Sequence, residues 1–131
     1  MEFDGIKFAV IGDCHHTHGG NLNKTRDCTT AKKRLETLIY QLNEQDFVMS
    51  LGDLGDGRSD DEIPEILEVY KKSKNPVYFT IGNHDLHRRS ATEVAKLFCI
   101  PAPFYDFKVK NYRLIVLNAF ERSRYSYENK E

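Results

Sequence analysis

The sequence predicts an α/β fold with a mostly parallel sheet and flanking helices. Three short runs rich in β-branched and aromatic residues, at 6–11, 47–51 and 77–81, have the composition of buried strands. The two segments between these runs carry apolar residues at helical spacing. Strand, helix, strand, helix, strand is the βαβαβ pattern, and its strands run parallel because each connection crosses back over the sheet.

Local signals set the predicted ends of the two intervening helices. Thr29 or Thr30 is expected to cap the first helix, which runs to about Asn43. The second helix is predicted over 63–72, with Pro64 in its first turn, where a missing backbone N–H is tolerated.

The remaining third of the chain contains a short helix and two strands. Ser90 and Glu93 have the spacing of a capping box, which predicts a helix over 91–98. Residues 105–109 and 113–119 read as two strands of a hairpin. The polar segment 121–131 is expected to be a flexible tail.

Size and charge limit the functional classes. At 131 residues the chain is expected to form a single domain over 1–131. A formal net charge of -1 gives no reason to expect nucleic acid as the main partner, and no apolar run approaches the length that crosses a membrane. Three cysteines without C-x-x-C spacing argue against a disulfide framework, so we expect a reducing, cytoplasmic location.

Each of the three predicted strands ends in glycine followed by residues that commonly bind metals. Asp13 and His15 follow the first strand, Asp53 the second, and Asn83 and His84 the third. Ligands of parallel sheets bind outside the carboxyl ends of the strands, so these side chains are predicted to meet there. On extended backbone, residues two apart face the same side, which would bring the first pair together.

These runs, taken in order, resemble the first three motifs of the calcineurin-like metallophosphoesterases, D-x-H, G-D-x-x-D and G-N-H-D. The matching segments are Asp13-Cys14-His15, Gly52-Asp53 with Asp56, and Gly82-Asn83-His84-Asp85. The resemblance implies that the chain forms the first half of a four-layer α-β-β-α sandwich.

The resemblance also implies a site with two divalent ions, for which the donor types suit Mn, Fe or Zn. Asp13 and His15 would bind the first ion, Asp53 would bridge both, and Asn83 would bind the second. His84 would act as a catalytic acid or stabilise phosphoryl charge. Asp85, the second residue assigned a catalytic role, would orient the histidine beside it.

The function implied is metal-dependent hydrolysis, through a hydroxide that bridges the ions, of a small-molecule phosphoester. A phosphodiester, a phosphomonoester or a nucleoside diphosphate derivative would each fit. The sequence departs from the family pattern because no histidine follows His87, so the lone downstream histidine and the G-H-x-H motif are absent. The alternative is therefore a non-catalytic binding or scaffold module with an incomplete metal site, or a partial unit without activity of its own.

Three further histidines, His16, His18 and His87, are expected to be exposed loop residues, with a role as replacement metal ligands as the alternative. The predicted strands are apolar on both faces, whereas the predicted helices cover one face. We therefore expect the uncovered face to bind a second copy of the chain, or a chain that completes the fold.

Overall fold

The computed structural model describes residues 5–19 and 27–120. The predicted tail at 121–131 and part of the loop before the first helix lie outside the described residues. The helices and strands are, in chain order, β1 (Phe8–Ile11), α1 (Ala31–Gln41), β2 (Phe47–Ser50), α2 (Glu62–Tyr70), β3 (Val77–Phe79), a 3-10 turn (His84–Leu86), α3 (Ala91–Leu97), β4 (Tyr105–Val109) and β5 (Tyr112–Val116).

The predicted parallel sheet is confirmed. β1, β2 and β3 are neighbours in that order, and both pairs are parallel. In the register, Phe8 is paired with Phe47, and Val48 with Val77. The carboxyl ends of all three strands therefore lie at one edge of the sheet, as the βαβαβ pattern requires.

One face of this sheet packs against the helices. Ile11, Val48 and Phe79 point to the same side and belong to the main hydrophobic core. Leu35 of α1 and Ile66 of α2 are buried in the same core. Because each helix places its apolar side on the sheet, the strand ends are held on a rigid base.

The opposite face is only partly covered. The Phe107 ring on β4 stacks on Tyr78 with a centroid distance of 3.5 Å and meets Phe47 edge-on at 5.4 Å. Phe8 and Val10, on β1, remain 46% and 53% exposed. The β4–β5 hairpin thus covers β2 and β3 but leaves an apolar strip on β1.

A tyrosine joins the hairpin to the sheet. The Tyr105 hydroxyl donates to the carbonyl oxygen of Phe79 at 2.8 Å and accepts from the N–H of the same residue at 3.0 Å. One phenol therefore satisfies both backbone groups at the end of β3.

The capping predictions have different outcomes. The box at α3 is confirmed, since Ser90 accepts from the N–H of Glu93 and the Glu93 carboxylate accepts from the N–H of Ser90. Thr30 does precede α1, but its side chain makes no capping bond. The Thr29 and Thr30 hydroxyls donate instead to the carboxylate of Asp27, at 3.0 and 2.6 Å.

The element ends differ from the predicted ones by a few residues. β2 and β3 stop at Ser50 and Phe79, before the predicted ends, because the chain turns there into the loops that carry the polar residues. Within the described residues, no helix combines the length and the apolar character needed to cross a bilayer.

Candidate metal centre and active site

The loops that follow β1 and β2 run side by side and carry most of the polar residues. The N–H of His15 donates to the Asp53 carbonyl and the N–H of His16 to the Leu54 carbonyl, both at 2.9 Å. In return, the N–H of Asp56 donates to the His16 carbonyl at 3.0 Å. The two loops therefore extend the parallel pairing past the strand ends and fix the positions of their side chains.

Backbone conformation, rather than strand alternation, brings the first two site residues together. Asp13, His15 and Asp53 have φ angles of 53°, 46° and 52°, three of the five positive values found at non-glycine positions in the described residues. The predicted extended backbone between Asp13 and His15 is therefore wrong. Such left-handed residues cost free energy and cluster at functional sites, where surrounding structure holds them.

The donor atoms of this pair nevertheless converge, as predicted, and a third residue joins them. The His15 Nε2 atom lies 3.3 Å from Asp13 Oδ1 and 3.6 Å from Asp53 Oδ2. One donor atom from each of His15, Asp53 and His84 lies within 4.8 Å of the others. The N–H of His84 also donates to Asp53 Oδ1 at 2.8 Å, which fixes the third strand's loop against the second.

These separations suit a shared cation. Adjacent ligands of an ion bound at about 2.1 Å stand roughly 3.0–3.4 Å apart, close to the observed His15–Asp13 distance. The mixed imidazole and carboxylate donor set is typical of Mn, Fe and Zn sites. The Asp13 side chain is 77% exposed whereas that of His15 is 7% exposed, so the cluster is open to solvent on one side.

The predicted ligand Asn83 lies at the same edge of the sheet. It is half-buried and directly precedes the 3-10 turn, and its carbonyl accepts from the N–H of Leu86 at 3.3 Å. The position agrees with a ligand beside His84, and the role of its side chain stays a prediction.

Asp56 lies under the two histidines. It is 2% exposed, and its Oδ1 lies 3.3 Å from His15 Nδ1 and 3.5 Å from His84 Nδ1. Its other oxygen accepts from Arg58 Nε at 3.1 Å. The contact with His15 is close but not directed as a hydrogen bond, because that Nδ1 has no aligned partner. The negative charge of a carboxylate this close favours the tautomer with its proton on Nδ1, which would leave His15 Nε2 for a metal.

His84 is held through the same residue. Its Nδ1–H donates to the Asp56 carbonyl at 3.2 Å, and its ring meets the His15 ring edge-on at a centroid distance of 4.4 Å. Since Nδ1 is engaged, Nε2 is the ring nitrogen of His84 that can accept a hydrogen bond or bind an ion.

Asp85 has a different role from the predicted one. We expected its carboxylate to orient His84; it accepts instead from the backbone N–H groups of Asp53, Leu54 and Gly82, each at 2.9 Å. Burial raises the pKa of Asp85 to about 6, against the lowering effect of those N–H donors. Its carboxylate thus joins the β2 and β3 loops and acts on the site through their backbone.

Two of the histidines expected to be exposed are buried. His87 lies with its ring centroid 4.5 Å from that of His84, and burial together with this neighbour lowers the pKa of His87. His16 is buried against Glu65 of α2, a contact that the sequence did not indicate. His18 is exposed, as predicted. Within the described residues, none of the three belongs to the group formed by His15, Asp53 and His84.

Carboxylates and imidazoles gathered at the strand ends of a parallel sheet are an arrangement that metal-dependent hydrolases use. The sequence model of one such group, the calcineurin-like phosphoesterases, matches residues 6–129. The chain belongs to this family, which confirms the resemblance carried by its three motifs.

One relative gives a more specific comparison. The manganese-dependent ADP-ribose/CDP-alcohol diphosphatase of Arabidopsis thaliana is 32% identical over 87 residues, which cover 59% of this chain. The matched part is 28% of the relative, so the comparison covers less than a third of that protein.

Proposed function

We propose that this chain hydrolyses a phosphoester or phosphoanhydride with the help of divalent metal ions. The observation that carries the proposal is the convergence of His15 Nε2 with oxygens of Asp13 and Asp53 at the ends of two parallel strands. Family membership supports the reaction class. Among substrates, a nucleoside diphosphate derivative is favoured because the relative's name specifies ADP-ribose and CDP-alcohol.

The residues of this chain have separate parts in the proposed reaction. Asp13, His15, Asp53 and Asn83 would hold two divalent ions, with manganese the first candidate. Bound ions of this kind polarise phosphoryl oxygens and make a water acidic enough to attack near neutral pH. His84 lies beside this cluster, where its Nε2 protonates the leaving oxygen or stabilises phosphoryl charge.

The test measures metal and turnover separately. Bound Mn²⁺ per chain would be determined together with hydrolysis of ADP-ribose and of bis(p-nitrophenyl) phosphate. Asp53→Asn should lower both, whereas His84→Gln should lower turnover and keep most of the metal. Asp106→Asn is the matched control, since Asp106 pairs with Arg113 on the exposed hairpin. Metal and turnover that are equal in Asp53→Asn and this control would refute the proposal.

The second candidate is a non-catalytic binding module. The observation that favours it is that none of the residues given after His87 is a histidine, whereas the family pattern has further histidine ligands after its third motif. Metal binding without turnover on either phosphate compound, in a correctly folded wild type, would support this candidate over the enzyme.

We also propose that the exposed strip on β1 binds a second copy of the chain. Phe8 and Val10 are both apolar and about half exposed, and neighbouring positions on β2 and β3 lie under the hairpin. Val10→Lys should lower the sedimentation coefficient at high protein concentration, and Tyr40→Lys, on the exposed side of α1, is the control. A wild type that stays monomeric at all concentrations would contradict the proposal.

A cytoplasmic location remains part of the proposal. It is supported by the odd number of cysteines and by the absence of C-x-x-C spacing. Fractionation of cells that express the tagged chain is the test, and recovery outside the cytoplasm would contradict it.

A further inference from the structure

A second group of potential metal donors lies between the β1 loop and α2. The His16 Nε2 atom lies 2.9 Å from Glu65 Oε2, and the His18 Nε2 atom lies 2.9 Å from Glu65 Oε1. The two rings meet edge-on with a centroid distance of 5.0 Å. One donor atom from each of the three residues lies within 4.8 Å of the others.

The metal-donor residues of this group are different from those of the candidate active site. The two consecutive histidines have different partners: His15 faces Asp13, Asp53 and Asp56, whereas the ring of His16 contacts Glu65. The backbone of His16 is fixed by two hydrogen bonds to the loop after β2: its N–H donates to the Leu54 carbonyl, and its carbonyl accepts from the N–H of Asp56. Its ring is therefore buried and fixed in position at the edge of α2.

The donor types are those of a zinc site. Two imidazoles and one glutamate bind zinc in tetrahedral geometry, with the fourth position open to water or another ligand. Asp61 is placed to contribute, because its Oδ2 lies 3.7 Å from His18 Nε2. His18 and Asp61 are more than half exposed, so an ion has access from solvent.

A lysine side chain forms an ion pair with the carboxylate of this group. Lys32 Nζ lies 3.1 Å from Glu65 Oε2, the same oxygen that His16 contacts. The pKa of Glu65 is lowered to about 2. The hydrogen bond from His16 is the largest cause, and the Lys32 ammonium lowers the pKa further. Glu65 is thus ionised and attracts cations, and a metal ion would have to displace the lysine from it.

We propose that His16, His18 and Glu65 bind Zn²⁺, independently of the candidate active site. The bound ion would link the loop at 12–19 to α2. Asp13 and His15 lie in the same loop with left-handed backbone, so the link would hold these residues in that conformation. The role of the ion is structural, and the proposal does not depend on the reaction proposed above.

The test counts metal equivalents in a protein whose first site is weakened. Metal-free Asp53→Asn protein would be titrated with Zn²⁺ against a chelator of known affinity, and with Co²⁺ while its visible d–d absorption is recorded. One equivalent should still bind and produce the absorption of a low-symmetry, four-coordinate ion. When Glu65→Gln or His18→Asn is combined with Asp53→Asn, the protein should no longer bind that metal equivalent, and the Co²⁺ absorption should disappear.

Two matched controls make the result specific. Glu68→Gln lies on the exposed side of α2, where its carboxylate pairs with Lys71, and should leave the equivalent in place. Lys32→Met removes the competing ammonium and should tighten Zn²⁺ binding about 2- to 5-fold, the range expected for loss of a surface ion pair. Lys33→Met, which changes the exposed neighbouring lysine, should leave the Zn²⁺ affinity unchanged.

The proposal is wrong if Glu65→Gln and Glu68→Gln bind the same number of equivalents, or if Lys32→Met binds Zn²⁺ no more tightly than Lys33→Met. His18→Asn alters an exposed side chain, so it tests the site even if Glu65→Gln fails to fold.

Discussion

Gly82 allows the loop after β3 to approach Asp53 closely, and Gly82→Ala tests how much the candidate site depends on that contact. A Cβ atom added at Gly82 would lie 2.1 Å from Asp53 Oδ1 and 2.5 Å from the Asp53 nitrogen. A carbon–oxygen contact is comfortable at about 3.3 Å, so the carboxylate would have to move by roughly 1.2 Å. The same oxygen accepts from the N–H of His84, and that bond would be lost.

The expected result is a loss of stability and a larger loss of function. Overpacking of this kind costs about 1–3 kcal/mol in the free energy of unfolding. A misplacement of about 1 Å at a reacting centre can cost roughly 100-fold in rate, and metal affinity should fall with it because Asp53 is the proposed bridging ligand. Urea denaturation would give the stability, and Mn²⁺ titration with hydrolysis of bis(p-nitrophenyl) phosphate would give the function.

Gly12→Ala provides the control for the same substitution beside another strand end. There the added Cβ would meet the nearest atom, the Leu51 Cβ, at 3.4 Å, an ordinary contact. Its effect on the free energy of unfolding should stay within about 0.5 kcal/mol. If Gly82→Ala binds Mn²⁺ as tightly as Gly12→Ala does, the reasoning about Asp53 is refuted.

Three further predictions concern groups around the sheet. Asp56→Asn should reduce metal affinity or turnover about 10- to 100-fold, because it removes the carboxylate behind both histidines of the site; unchanged Mn²⁺ binding and turnover would contradict this. Tyr105→Phe should cost about 1–2 kcal/mol in the free energy of unfolding, measured in urea, since it removes both hydrogen bonds to Phe79; an unchanged midpoint would contradict this. Cys14, whose pKa burial raises to about 11, should have about one thiol in a thousand ionised at pH 8, and its alkylation should become faster as the pH rises toward 11. Exposed Cys99 should be alkylated first, and mass spectrometry that finds Cys14 modified before it would show the burial argument to be wrong.

The sheet was predictable because its signals are local. Apolar runs, glycine at the strand ends and the spacing of Ser90 and Glu93 each act within a few residues, and the structure has the corresponding strands, turns and cap. The meeting of Asp13 and His15 was also predicted, but for the wrong reason. A left-handed φ at a non-glycine residue has no reliable sequence signal, because pairing with the neighbouring β2 loop maintains it.

Contacts between distant parts of the chain account for the errors at the histidines. His16 is buried because Glu65, 49 residues further along the chain, lies over it on α2. His87 is buried against the loop after β2, where even a Cβ added at Gly57 would come within 2.3 Å of its Nδ1 atom. Polar residues in a loop are usually exposed, and only the packing of these loops against each other and against α2 makes these two exceptions.

His84 is supported by Asp56 and not by the predicted Asp85, for a reason of geometry. Asp85 is next to His84 in sequence, but successive residues of a 3-10 turn point in directions about 120° apart, so its carboxylate cannot lie behind the neighbouring ring. It turns toward the sheet and accepts N–H groups from the loops after β2 and β3. Asp56 reaches the ring from the loop after β2, where its carbonyl accepts from the His84 Nδ1–H. The order of the site therefore depends on the buried carboxylates of Asp56 and Asp85, which contact the imidazoles and the backbone, while Asp13, a proposed metal ligand, is exposed.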